Sequence, residues 1–393
     1  MNKKHTSFRQ RQQGSYLVIF GGLVLVLTGF AVLAVDIGRI FIVRSELQNV
    51  ADAAALAGAN CLTRENVKDI NDCPSTMATA LNWRLATKKA EDQLSQNQAK
   101  NQPISCTGCV ETGYWDILNK RPSGGTLTSP LLSNFGPIGT YDKPAVRVQL
   151  DTNKIPSVAI SMLTEGMFGR TKLVNMKVTA VAVISSPSGV AAGQITPIAI
   201  DKCILDKYWD SAKASPKLAT SNTLKIEGVN NKYADVPQTK GTPWVIRIFQ
   251  SNSNSNSNKS KGKDEDEGAD KDVCETLRWT AFLKTNPKQK EIELLFASKN
   301  PTALQIDDSI YLENGNMSDL FKEFSLGIIT VPVMTDLGNG RQEIYAFASF
   351  QITVNGGVEK KYIEGSFVGI NTSSGSSGIG PFYGTYTPPR LAY

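Results

Sequence analysis

The amino-acid sequence predicts an α+β protein in which a single long N-terminal helix, serving as transmembrane span and stalk, carries a mostly antiparallel β body. Three observations lead to this fold class. An uncharged run of bilayer length lies near the N-terminus, and the apolar residues that follow it keep a helical spacing. Beyond residue 103, glycine, proline and short β-branched runs replace that pattern. The chain has 393 residues, 41% of them hydrophobic, which is enough for two or three compact regions.

The transmembrane helix is predicted over residues 14–35, after a basic tail at residues 1–13. The 21 residues from Ser15 through Leu25 to Val35 carry no charge. As a helix they would extend about 31 Å, the thickness of a bilayer's hydrocarbon core. The alternative is a cleaved signal peptide, whose apolar core usually has only about 7–15 residues. Since the cations of the tail precede every acidic residue, we expect a cytoplasmic N-terminus and a body on the outer side of the membrane.

The helix is predicted to continue beyond the membrane into a periplasmic helical segment at residues 36–102. Its apolar residues recur in steps of three and four, which is the spacing of a seam along which one helix packs on another. The seam consists of Ile40, Val43, Leu47, Val50, Ala54 and Ala57. The sequence leaves two occupants open: the protein's own outer domain, or the helix of another membrane-anchored subunit. A second, amphipathic helix is predicted over residues 78–94.

Two β-rich regions are predicted after the helices, at residues 103–189 and 190–393. Strands in the first are expected at 145–150 and 172–184, and Ser185–Gly189 is expected to mark its boundary. The second contains a predicted meander with strands at 327–334, 343–354 and 358–370. Asn355 and Gly356 lie between the last two of these strands, and Asn-Gly is a strong hairpin signal. The tail after residue 370 is expected to be extended or docked as a strand at a sheet edge.

A low-complexity loop at residues 250–272 interrupts the second region. Its alternating serine and asparagine residues cannot bury apolar area, so the loop is expected to be mobile and exposed. Acidic residues in and just after it fall at five ligand positions of an EF-hand-sized loop, namely Asp264, Asp266, Asp270, Asp272 and Glu275. The glycine that such a loop needs at its sixth position is Ala269, so calcium binding stays an open alternative.

Three segments near the N-terminus carry a resemblance to a known family: Arg11–Phe20, Ala34–Arg39 and Arg44–Ala59. They resemble the N-terminal segment of TadG-like proteins, which belong to bacterial Flp (tight-adherence, Tad) pilus-assembly systems. The most distinctive part is Leu47-Gln-Asn-Val-Ala-Asp-Ala-Ala-Ala-Leu-Ala-Gly-Ala59. A weaker similarity continues at 145–150, 174–183 and 310–370. The resemblance implies an envelope protein of pilus biogenesis whose partners are other pilus-assembly or pilin-like membrane proteins.

Two departures narrow what the resemblance implies. Some TadG-like proteins carry a von Willebrand A-type domain with an Asp-x-Ser-x-Ser metal motif, but here Asp307-Asp-Ser309 leads into Ile310 without a second serine. Prepilins are cleaved after a glycine, and a glutamate follows at the fifth mature position. Gly14 lies at the cleavage position, but Ile19 stands where the glutamate would be. We therefore expect the helix to stay whole and in the membrane.

Six cysteines follow the membrane segment, and an even number fits a disulfide-permissive compartment such as the periplasm. Proximity in the sequence favours the pairs Cys61–Cys73, Cys106–Cys109 and Cys203–Cys274. The alternatives for Cys106-Thr-Gly-Cys109 are half of a zinc site or a redox motif.

The composition also excludes several function classes. The one histidine is His5, so the body has no imidazole for a catalytic triad or a histidine metal site. The formal net charge of +6 is a mild excess that does not indicate a nucleic-acid-binding protein, which would show a clustered basic face. We expect no enzyme, no cofactor, no nucleic acid and no small-molecule substrate. The predicted function is that of a single-pass assembly component in the bacterial inner membrane, in contact with the lipid bilayer and other pilus proteins. The alternative is a minor pilin or pseudopilin that joins the filament.

Overall fold

The computed structural model describes residues 7–63, 81–127, 139, 141–163, 173–211, 215–226, 234–250, 274–313, 317–335, 340–369, 371–378 and 380–392. The helices are α1 (Ser7–Cys61), α2 (Trp83–Gln96), α3 (Lys202–Tyr208), α4 (Gln289–Ser298) and α5 (Gly357–Lys360), and there are short 3₁₀ helices at Pro156–Val158 and Ser318–Glu323. Helix α1 runs without a break through the apolar segment and the seam. Helix α2 confirms the predicted amphipathic helix from Trp83 onward. Residues 81 and 82 are not helical, because the Asn82 side chain accepts from the Leu85 N–H and caps the helix, and residues 78–80 lie outside the described residues.

The strands are β1 (Gln98–Ala99), β2 (Gln102–Pro103), β3 (Val110–Asp116), β4 (Arg121–Pro122), β5 (Asp142–Asp151), β6 (Ile160–Ser161), β7 (Leu173–Val174), β8 (Lys177–Val183), β9 (Pro187–Val190), β10 (Ile198–Asp201), β11 (Trp209–Asp210), β12 (Ser215–Pro216), β13 (Thr223–Lys225), β14 (Asp235–Pro237), β15 (Ile246–Gln250), β16 (Thr276–Thr280), β17 (Leu304–Gln305), β18 (Ser309–Glu313), β19 (Gly327–Met334), β20 (Gly340–Asn355), β21 (Tyr362–Phe367), β22 (Asn371–Thr372), β23 (Gly375–Ser377), β24 (Thr385–Tyr386) and β25 (Arg390–Leu391). Most pairings are antiparallel, as the fold class predicts.

The chain divides into two compact units, each assembled from separated stretches. One contains the chain up to residue 55 together with residues 90–110 and 147–181, and the other contains residues 56–89, 111–146 and 182–393. Composition alone divides the sequence into consecutive regions, whereas these units interleave along the chain.

The larger unit is organised around a seven-stranded sheet in the order β10-β19-β20-β18-β16-β15-β21. Because β10 also pairs with β16 and β20 also pairs with β21, six of its strands close into a circuit: β10, β19, β20, β21, β15 and β16. The main hydrophobic core of the unit combines side chains of these strands with side chains of α3, α4 and the second 3₁₀ helix. Trp279 of β16, for example, lies with its ring 5.3 Å from that of Phe321. Closure leaves few free strand edges, and burial of these side chains stabilises the unit.

A second sheet has the order β25-β8-β5-β3-β4. Its strand β25 pairs Arg390 with Val183 and Leu391 with Ala182. The prediction that the C-terminal tail can dock as a strand at a sheet edge is therefore confirmed.

The strand predicted over residues 172–184 is two strands, β7 and β8. Thr152 takes the hydrogen bonds that a continuous strand would use at Met176: its Oγ1 accepts from the Met176 N–H at 2.9 Å, and its own N–H donates to the Met176 carbonyl at 3.0 Å. The ladder is interrupted at this residue. Residues 171 and 172 lie outside the described part of the chain.

The boundary predicted at Ser185–Gly189 is wrong for its second half, because β9 occupies Pro187–Val190 and pairs with β17 and β23. Gly189 makes this pairing possible. A Cβ there would lie 3.0 Å from the Leu304 carbonyl oxygen, which is closer than nearly all real contacts. Residues 184–186 thus separate β8 from β9 without regular secondary structure, and the chain continues into a paired strand where the boundary was predicted.

The strand predicted to start at residue 358 starts at Tyr362. The Asn355 side chain accepts from the Gly357 N–H at 2.9 Å and donates to the Phe321 and Phe324 carbonyls at 2.7 and 3.0 Å. These bonds favour a helical turn, α5, over a two-residue hairpin, and Gly357 supplies the positive φ of 68° at its start. The meander itself, β19–β20–β21, is confirmed.

Candidate membrane anchor and docking surface of helix α1

The apolar first half of α1 is exposed and packs against no other part of the described chain. Its best 18-residue stretch has a mean hydropathy of 2.7 and no residue buried, and in the described part of the chain this is the one helix long and apolar enough to cross a membrane. Leu25, at the predicted centre of the span, is 75% exposed, and Val35 at its end is 51% exposed. Ser15 lies on the helix. An exposed apolar run of this length is typical of a bilayer-spanning helix.

Three glycines on the same half of α1 leave positions on its surface without side chains. A Cβ built at Gly21, Gly22 or Gly29 would meet nothing within 4 Å. Small residues on a bare helix allow the backbone of another helix to approach closely inside a membrane.

The second half of α1 is packed against the chain itself. Leu47 is 1% exposed, and Val43, Val50 and Ala54 are also buried. Of the two occupants that the sequence left open for the seam, the protein's own body is the one observed. The seam as a docking site for a partner's helix is therefore wrong at these positions, because their side chains already pack inside this protein. Its end residues Ile40 and Ala57 are half-buried.

Polar side chains beside the seam hold α1 to the rest of the smaller unit. Gln48 Nε2 donates to the Thr179 carbonyl at 3.2 Å, and Glu46 Oε2 accepts from the Lys100 N–H at 2.8 Å. The two bonds join α1 to two other stretches of the chain.

Asp36 makes a third link just beyond the apolar segment. The residue is 1% exposed, and its Oδ1 accepts from the Leu163 N–H at 2.9 Å. A buried carboxylate is tolerated when it is hydrogen-bonded. In the sequence, Asp36 is the first charged residue after the span, and its position one residue past Val35 is the signal that could have marked it as an anchor point.

An apolar face remains bare just after the span. Ile37, Phe41 and Ile42 are 44%, 66% and 61% exposed, although Asp36 and the seam beside them are buried. This face, which we call the collar, contains none of the residues of the predicted seam. It continues the apolar surface of the span along the same helix.

The structure bonds Cys106 to Cys109 and Cys203 to Cys274, with Cα–Cα distances of 5.7 and 5.8 Å. Both pairs agree with the proximity prediction. Joined sulfurs cannot serve as zinc thiolates, whereas the redox alternative stays a prediction, because a Cys-x-x-Cys redox motif carries the same bond in its oxidised state. Cys61 is also disulfide-bonded. Its predicted partner, Cys73, lies outside the described residues.

The calcium alternative loses its twelfth ligand. Glu275 is buried, and its carboxylate accepts from Lys207 Nζ at 2.6 Å and from the Tyr208 hydroxyl. Burial and the Glu275 carboxylate raise the pKa of Tyr208, so the phenol stays protonated and donates. The low-complexity loop itself, with the other four acidic residues, lies outside the described residues. Among those described, no three acidic, cysteine or histidine side chains converge as metal ligands would.

No curated protein and no solved structure matches the chain. A family model matches residues 14–60, the stretch of α1 that begins just before the bare half and ends with the packed half. This match supports involvement of the chain in Flp/Tad pilus assembly. The family is described as "Putative Flp pilus-assembly TadE/G-like", and the N-terminal segment of this chain is TadE/G-like, as its sequence predicted.

Proposed function

We propose that this protein is a single-pass assembly component of a Flp/Tad-type pilus system, anchored in the inner membrane and acting through protein–protein contacts. One observation carries the proposal. Helix α1 is continuous over 55 residues, bare where it is apolar enough to cross a bilayer and packed where it meets the body. Such a helix holds a folded body at a fixed height on the membrane.

The proposed orientation places the N-terminus in the cytoplasm and the body in the periplasm. The cations before the span and the disulfides after it support this arrangement, because Lys and Arg collect on the cytoplasmic side and disulfides persist in oxidising compartments.

The collar is the surface of α1 that we propose for contact with a partner. Its residues Ile37, Phe41 and Ile42 lie on the segment that the family model covers, and the seam beside them is already filled. A membrane-anchored pilus protein could pack its own helix against the collar and against the glycine-containing face of the span. We assign the chain no catalytic role and no cofactor.

A second candidate is a minor pilin or pseudopilin. The bare first half of α1 favours it, because a filament subunit needs an exposed apolar helix to pack among copies of itself. Ile19 in place of the prepilin glutamate speaks for the membrane component.

Site-specific photocrosslinking in intact cells tests the two candidates. A photoreactive phenylalanine analogue at Phe41 should crosslink to another pilus-assembly membrane protein, identified by mass spectrometry after mild solubilisation. The matched control is the same analogue at Leu294, an equally exposed apolar position on the body that is 71% exposed.

The proposal predicts a partner at Phe41 and none at Leu294, with the chain in the membrane fraction at full mass. Equal crosslinking at both positions contradicts the collar. Recovery of a form lacking residues 1–14 from sheared filaments would favour the minor pilin.

A further inference from the structure

The larger unit contains a cavity of about 220 Å³ that the pilus-assembly role does not use. Its floor is formed by buried side chains from four stretches of the chain that are distant in sequence: Tyr114, Lys143, Ser186, Tyr383 and Tyr386. Pro144 is buried as well, whereas the other lining residues are exposed or half-exposed and form the rim, so the cavity has a closed end and an open end.

Lys143 places a cation at the closed end. The residue is 4% exposed, and its Nζ donates to Ser186 Oγ at 3.2 Å and to the Gly380 carbonyl at 3.4 Å. An ammonium group has three N–H donors, so these two long bonds leave one donor available. Within the described residues, no carboxylate lies within 4 Å of this Nζ.

Asp142 is the nearest acidic residue, and it belongs to the rim. Its Oδ2 accepts from the Gly139 N–H at 2.7 Å, which holds the carboxylate at the open end. It favours the charged form of Lys143, but burial has the larger effect and lowers the pKa of Lys143 to about 8. The side chain is therefore still a cation at neutral pH, where burying a charge without a close counter-ion is costly.

The walls of the cavity are aromatic. Phe382 and Tyr386 are stacked with ring centroids 4.1 Å apart, and the Tyr345 and Tyr383 rings also line the space. Burial raises the pKa of both Tyr383 and Tyr386, so these phenols stay neutral at neutral pH. The closed end thus combines one positive charge with flat apolar surfaces.

Size limits what can enter. A dry cavity of about 150 Å³ is enough to hold benzene, so a space of about 220 Å³ accommodates one ring with a small substituent. The charge of Lys143 selects an anionic substituent, and the aromatic walls select a ring.

We propose that this cavity binds a small organic carboxylate that carries one ring, with the carboxylate on Lys143 and the ring against Phe382 and Tyr386. The sequence predicted no small-molecule substrate. The proposed molecule is a ligand, and the cavity requires no reaction of it.

Binding measurements on the full chain in lipid nanodiscs test this proposal. The probes are benzoate and glucuronate, which carry a planar and a sugar ring respectively. Benzyl alcohol serves as the ring without charge, and acetate as the charge without a ring. Saturation-transfer NMR reports contact of each probe with the protein. The intrinsic tryptophan fluorescence of the chain is a second readout of occupancy, since the ring of Trp209 lies 5.6 Å from that of Phe382.

At least one ring acid should bind saturably, and the two single-feature probes should bind at least about tenfold more weakly, because a hydrogen bond to a charged group contributes a factor of roughly 10–100. Lys143→Met should lose that factor. The matched control is Lys299→Met, since Lys299 is half-buried, burial lowers its pKa as well, and it does not line the cavity.

Each outcome bears on the proposal. Binding of benzoate alone or glucuronate alone supports it and identifies the ring. Absence of saturable binding by both at millimolar concentration overturns it, as does equal affinity of the Lys143→Met variant in a sample whose circular dichroism matches that of the wild type.

Discussion

Replacing Lys143 with methionine should make the ligand-free protein more stable at neutral pH. Burial lowers the pKa of Lys143 from 10.5 to about 8, which means that the folded protein holds the lysine's proton less tightly than the unfolded chain does. At about 1.36 kcal/mol for each pH unit between the two values, the charged side chain reduces the free energy of unfolding by about 3 kcal/mol at pH 7.

Methionine has a similar length and no charge, so this penalty disappears in the variant. The side chains left behind keep their bonds, because Ser186 Oγ also donates to the Gly380 carbonyl at 2.5 Å. We therefore expect a net gain of about 2–3 kcal/mol, measurable as a higher midpoint in thermal or urea unfolding of the full chain in detergent micelles.

The pH dependence gives a sharper readout. Between pH 8 and 10.5 the unfolded chain binds more protons at this lysine than the folded protein does, so the stability of the wild type rises with pH across this window. The variant lacks that rise, and its advantage should shrink toward zero as the pH approaches 10.5. The other lysines titrate in both proteins and cancel in the difference. A variant that is no more stable at pH 7, or whose advantage is the same at pH 7 and pH 10.5, refutes the reasoning.

Three further predictions concern the anchor, the seam and the larger disulfide. Cys203→Ser should lower the free energy of unfolding by roughly 4 kcal/mol, because the bond to Cys274 closes a loop with a sequence separation of 71. A melting curve with thiol titration of Cys274 checks this prediction, and an unchanged melting midpoint contradicts it. Leu47→Ala should lower the free energy of unfolding in urea by about 2–5 kcal/mol, whereas Ile42→Ala on the collar should change it by less than about 0.5 kcal/mol. Equal effects of the two substitutions would mean that the seam does not pack on this chain. Leu25→Asp should weaken membrane insertion by about 3 kcal/mol relative to Leu25→Ala. Alkaline extraction of membranes should therefore release a larger fraction of the Asp variant. Equal extraction of the two variants would exclude Leu25 from the bilayer centre.

Helix α1 could be predicted from the sequence because its signals are local. Bilayer length without charge and apolar steps of three and four need only neighbouring residues, and both are present between Ser15 and Ala57. The occupant of the seam could not be predicted in the same way. The apolar stripe predicts that Leu47 is buried, but it does not predict against which part of the chain. The hydrogen bond from Gln48 to Thr179 shows that location, and it joins residues 131 positions apart in the sequence.

The hairpin predicted at Asn355 and Gly356 was wrong for a related reason. Asn-Gly favours a tight hairpin when its amide side chain serves the turn alone, but this amide also donates to carbonyls 31 and 34 residues away. Those distant bonds decide the local conformation, and propensity alone does not contain them.

The Lys143 cavity was missed although part of its signal is local. The strand predicted from the sequence starts at residue 145, whereas β5 begins at Asp142 and buries the four residues from Lys143 to Val146. A lysine at the start of a continuous run of buried residues has to lose its proton, pair with an acidic group or bind a ligand.

The stability and binding experiments on Lys143→Met together separate these possibilities. If the variant gains stability and loses the ring acid, the buried charge reduces the stability of the ligand-free fold and serves binding, as residues retained for function often do. If it gains stability but binds the acid as well as the wild type does, the burial penalty is real and the carboxylate site is wrong. If it loses stability, the ammonium's bonds to Ser186 and Gly380 outweigh its desolvation, and Lys143 is a structural residue of β5 rather than the floor of a binding site.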